Sequence, residues 1–177
     1  MKKIIALLIL TATIMSASAQ QPGALTKFFE KYSGDERFLE VKISPKMFSL
    51  ITNMEVDTPE DKETIEAISK LKGLTVLRAE EGVDARSLYK EAIALVPKNY
   101  EELMSVRDKD VDMKFFIKES SPGKISELLM VSGGMKEFTT LSLVGEIDLK
   151  TISRIGKKMD VDGLEKLEKM HDHDKKD

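Results

Sequence analysis

Apolar residues first recur at helical spacing. Leu25, Phe28, Phe29 and Tyr32 fall on one side of a 3.6-residue period. The next run, FLEVKIS, is short and predicts a strand with Phe38, Val41 and Ile43 as its apolar positions. Ser44-Pro45 then opens a helix over SPKMFSLI, since serine caps well and proline suits the first helical position. Thr58-Pro59 repeats the device in TPEDKETIEAISKLKG, where Ile65, Ile68 and Leu71 form one stripe and Gly73 predicts the stop. LTVLRAE predicts a second strand. Asp84 caps DARSLYKEAIALV, whose Ala85, Leu88, Ala92 and Leu95 share an inward face.

From Tyr100 the period changes to two. YEELMSVRD, VDMKFFIKES, ISELLMVSGG and FTTLSLVGEID alternate apolar and polar residues, and turn residues separate them. LKTISRIGKKM and DGLEKLEKM then predict two helices, capped by Asp148 and Asp162, with Leu164 and Leu167 as a short seam. Helices cluster early and late while strands concentrate in the middle. The expectation is an α+β fold: a four-stranded antiparallel meander, open to extension by the two earlier strands, with helices packed mainly on one face.

Both faces of that sheet carry apolar residues. Phe116 interrupts a polar face, Leu128 and Met130 oppose Leu129 and Val131, and Phe138 and Val144 join the face of Thr140 and Ser142. Such a sheet is either covered on both sides by loops and terminal helices, or leaves one face open to a partner. Phe116, Met130, Phe138 and Val144 are the candidate interaction surface on the second reading.

The N-terminus adds an address. Lys2 and Lys3 precede the apolar run Ile4 to Leu10, and Ala17-Ser18-Ala19 supplies a small-x-small cleavage pattern. Residues 1–19 therefore read as a signal peptide cleaved before Gln20, residues 20–170 as one domain, and 171–177 as a charged disordered tail. The expected location is periplasmic or extracellular. Losing Lys2 and Lys3 takes the net charge from −3 to −5. With no basic surplus, nucleic-acid binding has no support. No further apolar segment approaches a membrane span. The chain has no cysteine, which excludes thiolate chemistry, cysteine zinc sites and the lipid anchor of a bacterial lipoprotein.

Catalytic signatures are sparse. His171 and His173 are the two histidines, and both lie in the C-terminal charged run HDHDKKD. With Asp172 and Asp174 they form a weak candidate for a transition metal, but nothing else supplies an imidazole to complete it. No GxSxG elbow or HExxH pair occurs. The Ser-x-x-Lys spacings at Ser69, Ser87 and Ser121 lack their partner motifs. Asp108-Lys-Asp110-Val-Asp112 starts like a calcium loop but has Met113 where glycine is needed. Glu55/Asp57, Glu80/Glu81 and Glu101/Glu102 read as solvated surface. No cofactor is expected.

The stretch LSLVGEIDLKTIS, with the paired strands before it, resembles the domain-of-unknown-function 4252 (DUF4252) family of exported Bacteroidetes proteins. The likeness runs from about Leu25 to Met159. It implies an exported envelope protein of unknown activity and carries over no catalytic residue. The functional expectation is a non-catalytic binding or protein-interaction module, taking an envelope protein or a small apolar ligand. The alternative is a carboxylate-dependent enzyme acting on envelope glycans.

Overall fold

The computed structural model describes residues 23–53, 58–80, 82–150 and 152–153. The expected signal peptide, the helix expected after Asp162 with its Leu164/Leu167 seam, and the expected His171/His173 tail lie outside the described residues.

Among the described residues, four helices and six strands follow the order α1 (Thr26–Tyr32), β1 (Leu39–Ile43), α2 (Pro45–Ile51), α3 (Pro59–Ser69), β2 (Leu71–Ala79), α4 (Ala85–Leu95), β3 (Glu101–Arg107), β4 (Val111–Ser121), β5 (Lys124–Gly134) and β6 (Phe138–Ile147). The fold is α+β. Its caps are those the sequence predicts. Ser44, Thr58 and Asp84 accept from the backbone N–H three residues on, in Met47, Asp61 and Ser87. Each satisfies one of the donors a helix start leaves unpaired.

Helix α3 ends at Ser69, before the predicted stop at Gly73, which lies inside β2. The sheet explains the difference. Lys70 O accepts from Glu146 N–H at 3.1 Å, and Leu71 pairs with Gly145. Strand pairing thus captures the chain where helical periodicity alone would have run on.

All strand pairs are antiparallel, and the sheet order is β1-β2-β6-β5-β4-β3. The four later strands neighbour each other in chain order. The earlier pair adds beyond β6, so β2 joins a strand some seventy residues later, with Leu74 opposite Leu143. The β3–β4 turn explains the aspartate run. Asp108 Oδ1 accepts from Asp110 N–H at 2.7 Å and Val111 N–H at 2.9 Å, closing the hairpin as an Asx turn.

Helices pack on both faces, not mainly on one. Leu25, Phe28 and Phe29 of the α1 segment, with Ala85, Leu88 and Ala92 of α4, cover Phe116, Leu129, Val131 and Phe138. On the other face Phe48 of α2 joins Phe115, Leu128, Met130 and Leu141, with Ile68 of α3 packed alongside and Ile152 included. The reason is the two-sided apolarity of β4, β5 and β6. A strand carrying large side chains on both sides needs cover on both. Helix α4 can come close because Gly133 has no side chain: a Cβ there would stand 2.5 Å from Tyr89 Cβ and 2.8 Å from Ala85 O.

Candidate functional site

The candidate surface of Phe116, Met130, Phe138 and Val144 does not form in the fold. Phe116, Met130 and Phe138 are buried, and Val144 is half-buried. They also belong to different faces. Phe116 opposes Leu129 and lies under α1 and α4, whereas Met130 opposes Phe115 in the other cluster. The physical reason is register: adjacent residues of a strand point to opposite sides, so a one-residue offset between β4 and β5 separates Phe116 from Met130.

Exposed apolar surface lies elsewhere. Six large hydrophobic side chains are exposed among the described residues: Leu39, Val41, Met47, Leu50, Leu95 and Met135. The first four fall within one short stretch, β1 and α2. Leu39 is 62% exposed and Leu50 is 52%. Among the described residues strand β1 is an edge: β2 pairs with one of its flanks and no described strand pairs with the other. Val41 opposes Val76 and therefore shares its side of the sheet. Val76 and Ile43 pack on the cluster that holds Phe48 of α2. Leu39 and Val41 thus project on the same side of the sheet as α2. The result is an apolar ridge along one margin of the molecule, rather than the middle of a sheet face.

A second feature is polar and buried. Glu127 on β5 is 4% exposed. Its Oε1 accepts from Ser142 Oγ at 2.8 Å and from Ala24 N–H at 3.3 Å, and its Oε2 accepts from Tyr100 Oη at 2.5 Å. Lys118, its direct neighbour on β4, places its ammonium 5.9 Å from the Tyr100 ring centroid. Gly23 leaves room for the carboxylate, since a Cβ there would sit 2.9 Å from Glu127 Oε1. Three donors from separate parts of the chain engage one enclosed carboxylate, which offsets the cost of burying its oxygens. The cluster is a clasp that ties the chain just before α1 to the sheet. The sequence signal was there: in ISELLMVSGG, Glu127 occupies a position of the same alternation as Leu129 and Val131.

Burial, then the hydrogen bond to Glu127 and its negative charge, holds the Tyr100 phenol well above its ordinary range. A raised folded-state value contributes stability that is complete below the unfolded phenol's pKa, about 10, and is lost as pH rises beyond it. Tyr100→Phe should therefore flatten the fall in melting temperature between about pH 9 and about pH 11. Tyr89, also raised by burial, retains part of the slope. An unchanged slope in thermal melts would detach Tyr100 from the clasp.

Several of the acidic residues take part in ordinary ion pairs. Glu102 meets Lys114 at 2.5 Å, and Asp112 meets Arg107 at 2.6 Å. Glu55/Asp57 and Glu81 lie outside the described residues. An open cleft of about 310 Å³ lies between α3, the β4–β5 turn and the end of β6. Glu63, Glu66, Glu146 and Asp148 line it with Lys70 and Lys124, and Lys70 pairs with Glu66 at 3.0 Å. None of the described helices is long and apolar enough to cross a membrane.

No curated protein and no solved structure matches the chain. One family model does, over residues 32–155, and its description is a domain of unknown function, DUF4252. The matched span runs from the end of α1, through the whole sheet, to just past Asp148, so it takes in both the ridge and most of the clasp. The chain belongs to the DUF4252 family.

Proposed function

We propose that the chain is an exported interaction module that presents the β1–α2 ridge to a protein partner. The observation that carries this reading is the concentration of exposed Leu39, Val41, Met47 and Leu50 along one sheet margin. Apolar side chains gathered in one exposed patch mark contact surfaces more often than scattered ones do. Among the described residues the buried carboxylate is Glu127, and three donors from the protein already engage it. Export rests on the three-part pattern of residues 1–19, and the exported form begins at Gln20. The glycan-enzyme reading has its nearest support in the acidic cleft beside α3. Its carboxylates face open solvent, and Lys70 already engages Glu66.

The test is affinity capture from the native cell envelope with the mature chain as bait. Leu39→Glu with Leu50→Lys should leave the melting transition near wild type, because both side chains are exposed. It should remove the captured proteins. Capture of the same set by the double variant would overturn the ridge as the contact surface. Intact mass of the chain recovered from the envelope checks the Gln20 start.

A further inference from the structure

We infer that the ridge pairs with a second copy of this chain, β1 against β1 in antiparallel sense about Val41. This deepens the ridge reading and rests on it. The strand is Leu39-Glu40-Val41-Lys42-Ile43, and this order is self-complementary under a twofold axis. With Val41 opposite its own copy, Glu40 falls opposite the copy's Lys42 and Lys42 opposite its Glu40. Leu39 falls opposite Ile43. Opposite charges across a strand pair attract, and like charges in those positions repel.

The two margins of the sheet differ in how they meet solvent. Strand β3 carries Glu101, Glu102 and Arg107, and its ladder with β4 breaks register between Glu102 and Met104. Charge and a bulge both discourage edge pairing. Strand β1 has neither a register shift against β2 nor a proline, and its exposed side chains on one side are apolar. Its two charges already form a pair within the strand, Lys42 Nζ to Glu40 Oε1 at 2.6 Å. Lys42 is exposed and Glu40 part-buried in that pair, and the exposed lysine lets it exchange for two pairs across the seam.

A five-residue seam alone is small against the roughly 1,200 Å² that a standard interface buries. Helix α2 supplies the rest. It packs over β2 on the side where Leu39 and Val41 project, and Met47 and Leu50 stand exposed on it. A twofold axis at Val41 brings two such helices to flank one seam. The product is a continuous twelve-stranded sheet with β3 at each outer edge. Closed twofold pairing of this kind also uses up the edge, so it does not grow into fibres.

The experiment is sedimentation equilibrium of the mature chain with charge reversals at the seam. Wild type should sediment at twice the monomer mass. Glu40→Lys alone and Lys42→Glu alone each place like charges opposite each other and should weaken pairing by at least about tenfold. An equimolar mixture of the two single variants should recover the dimer, since one chain then offers two positive charges and the other two negative. The double swap Glu40→Lys/Lys42→Glu should also recover it. Circular dichroism of each variant shows that the fold is kept. A wild type that stays monomeric overturns the inference, as does a dimer indifferent to the single swaps or not rescued by mixing. A monomer that still captures envelope proteins through Leu39 and Leu50 overturns only the second copy as partner. A monomer with no ridge-dependent capture overturns the ridge reading as well.

Discussion

Phe138→Ala is expected to lower the unfolding free energy by about 3–5 kcal/mol. The side chain is fully buried at the start of β6, and its ring centroid lies 5.5 Å from that of Phe28 on α1. Phe28 in turn meets Tyr32 at 4.8 Å, and Tyr32 meets Phe38 at 4.9 Å, so one aromatic file runs from the sheet to the chain before β1. Truncation removes apolar area and leaves a cavity that α1 and α4 cannot both close. Urea denaturation followed by circular dichroism measures the effect. The experiment also separates core from contact surface at this position: a contact residue would lose partner binding with its midpoint unchanged. A midpoint shift equivalent to less than about 1 kcal/mol would mean that the α1–α4 cover is not closed.

Gly145→Ala should cost about 3 kcal/mol or more, from two additive causes. Its φ is +148°, a backbone conformation that side chains rarely adopt. A Cβ there would also stand 2.5 Å from Lys70 O and 2.7 Å from Leu71 Cα. Both are backbone atoms of the α3–β2 junction, which cannot swing aside as the end of a side chain can. The neighbouring bond from Glu146 N–H to Lys70 O would stretch or break. The expected signature is a lower denaturation midpoint. Faster amide exchange at Glu146 should exceed that at Met130 once the global change is subtracted. Unaltered stability would show that the junction has slack the geometry does not suggest.

The strands and the caps were legible because their signals are local. Ser44, Thr58 and Asp84 announce helix starts within four residues, and β4, β5 and β6 announce themselves by alternation. Face assignment was not legible, because it depends on register between strands. Each hairpin in the later half contains a shift, such as that between Ile125 and Glu127 against β6. A shift of one residue exchanges inside for outside. Phe116 and Met130 consequently looked like neighbours while lying on opposite faces. The ridge was hidden for a related reason. Leu39 and Val41 read as ordinary strand residues until the insertion of β2 beside β6 makes β1 an edge. Glu127 was visible as a carboxylate in an apolar alternation, but its donors Ala24, Tyr100 and Ser142 are scattered along the chain.

The pairing of β2 with β6 has a temporal consequence. Strand β2 can join β1 once α2 and α3 are out, yet its other flank waits for residues 138–147. Long loops must close before such contacts return any stabilisation, which slows folding. The contact from Ala24 to Glu127, 103 residues apart, adds to the delay. A chain emerging N-terminus first therefore holds an unfinished sheet until nearly all of the described domain is available. Strands β1 and β2, with α2 and α3 between them, form at most an isolated two-stranded pair in that interval, and such pairs are marginal in water. Completion is late and cooperative, with β6 as the keystone. The export proposed above would then pass a chain that is still threadable and that acquires its shape on the far side of the pore.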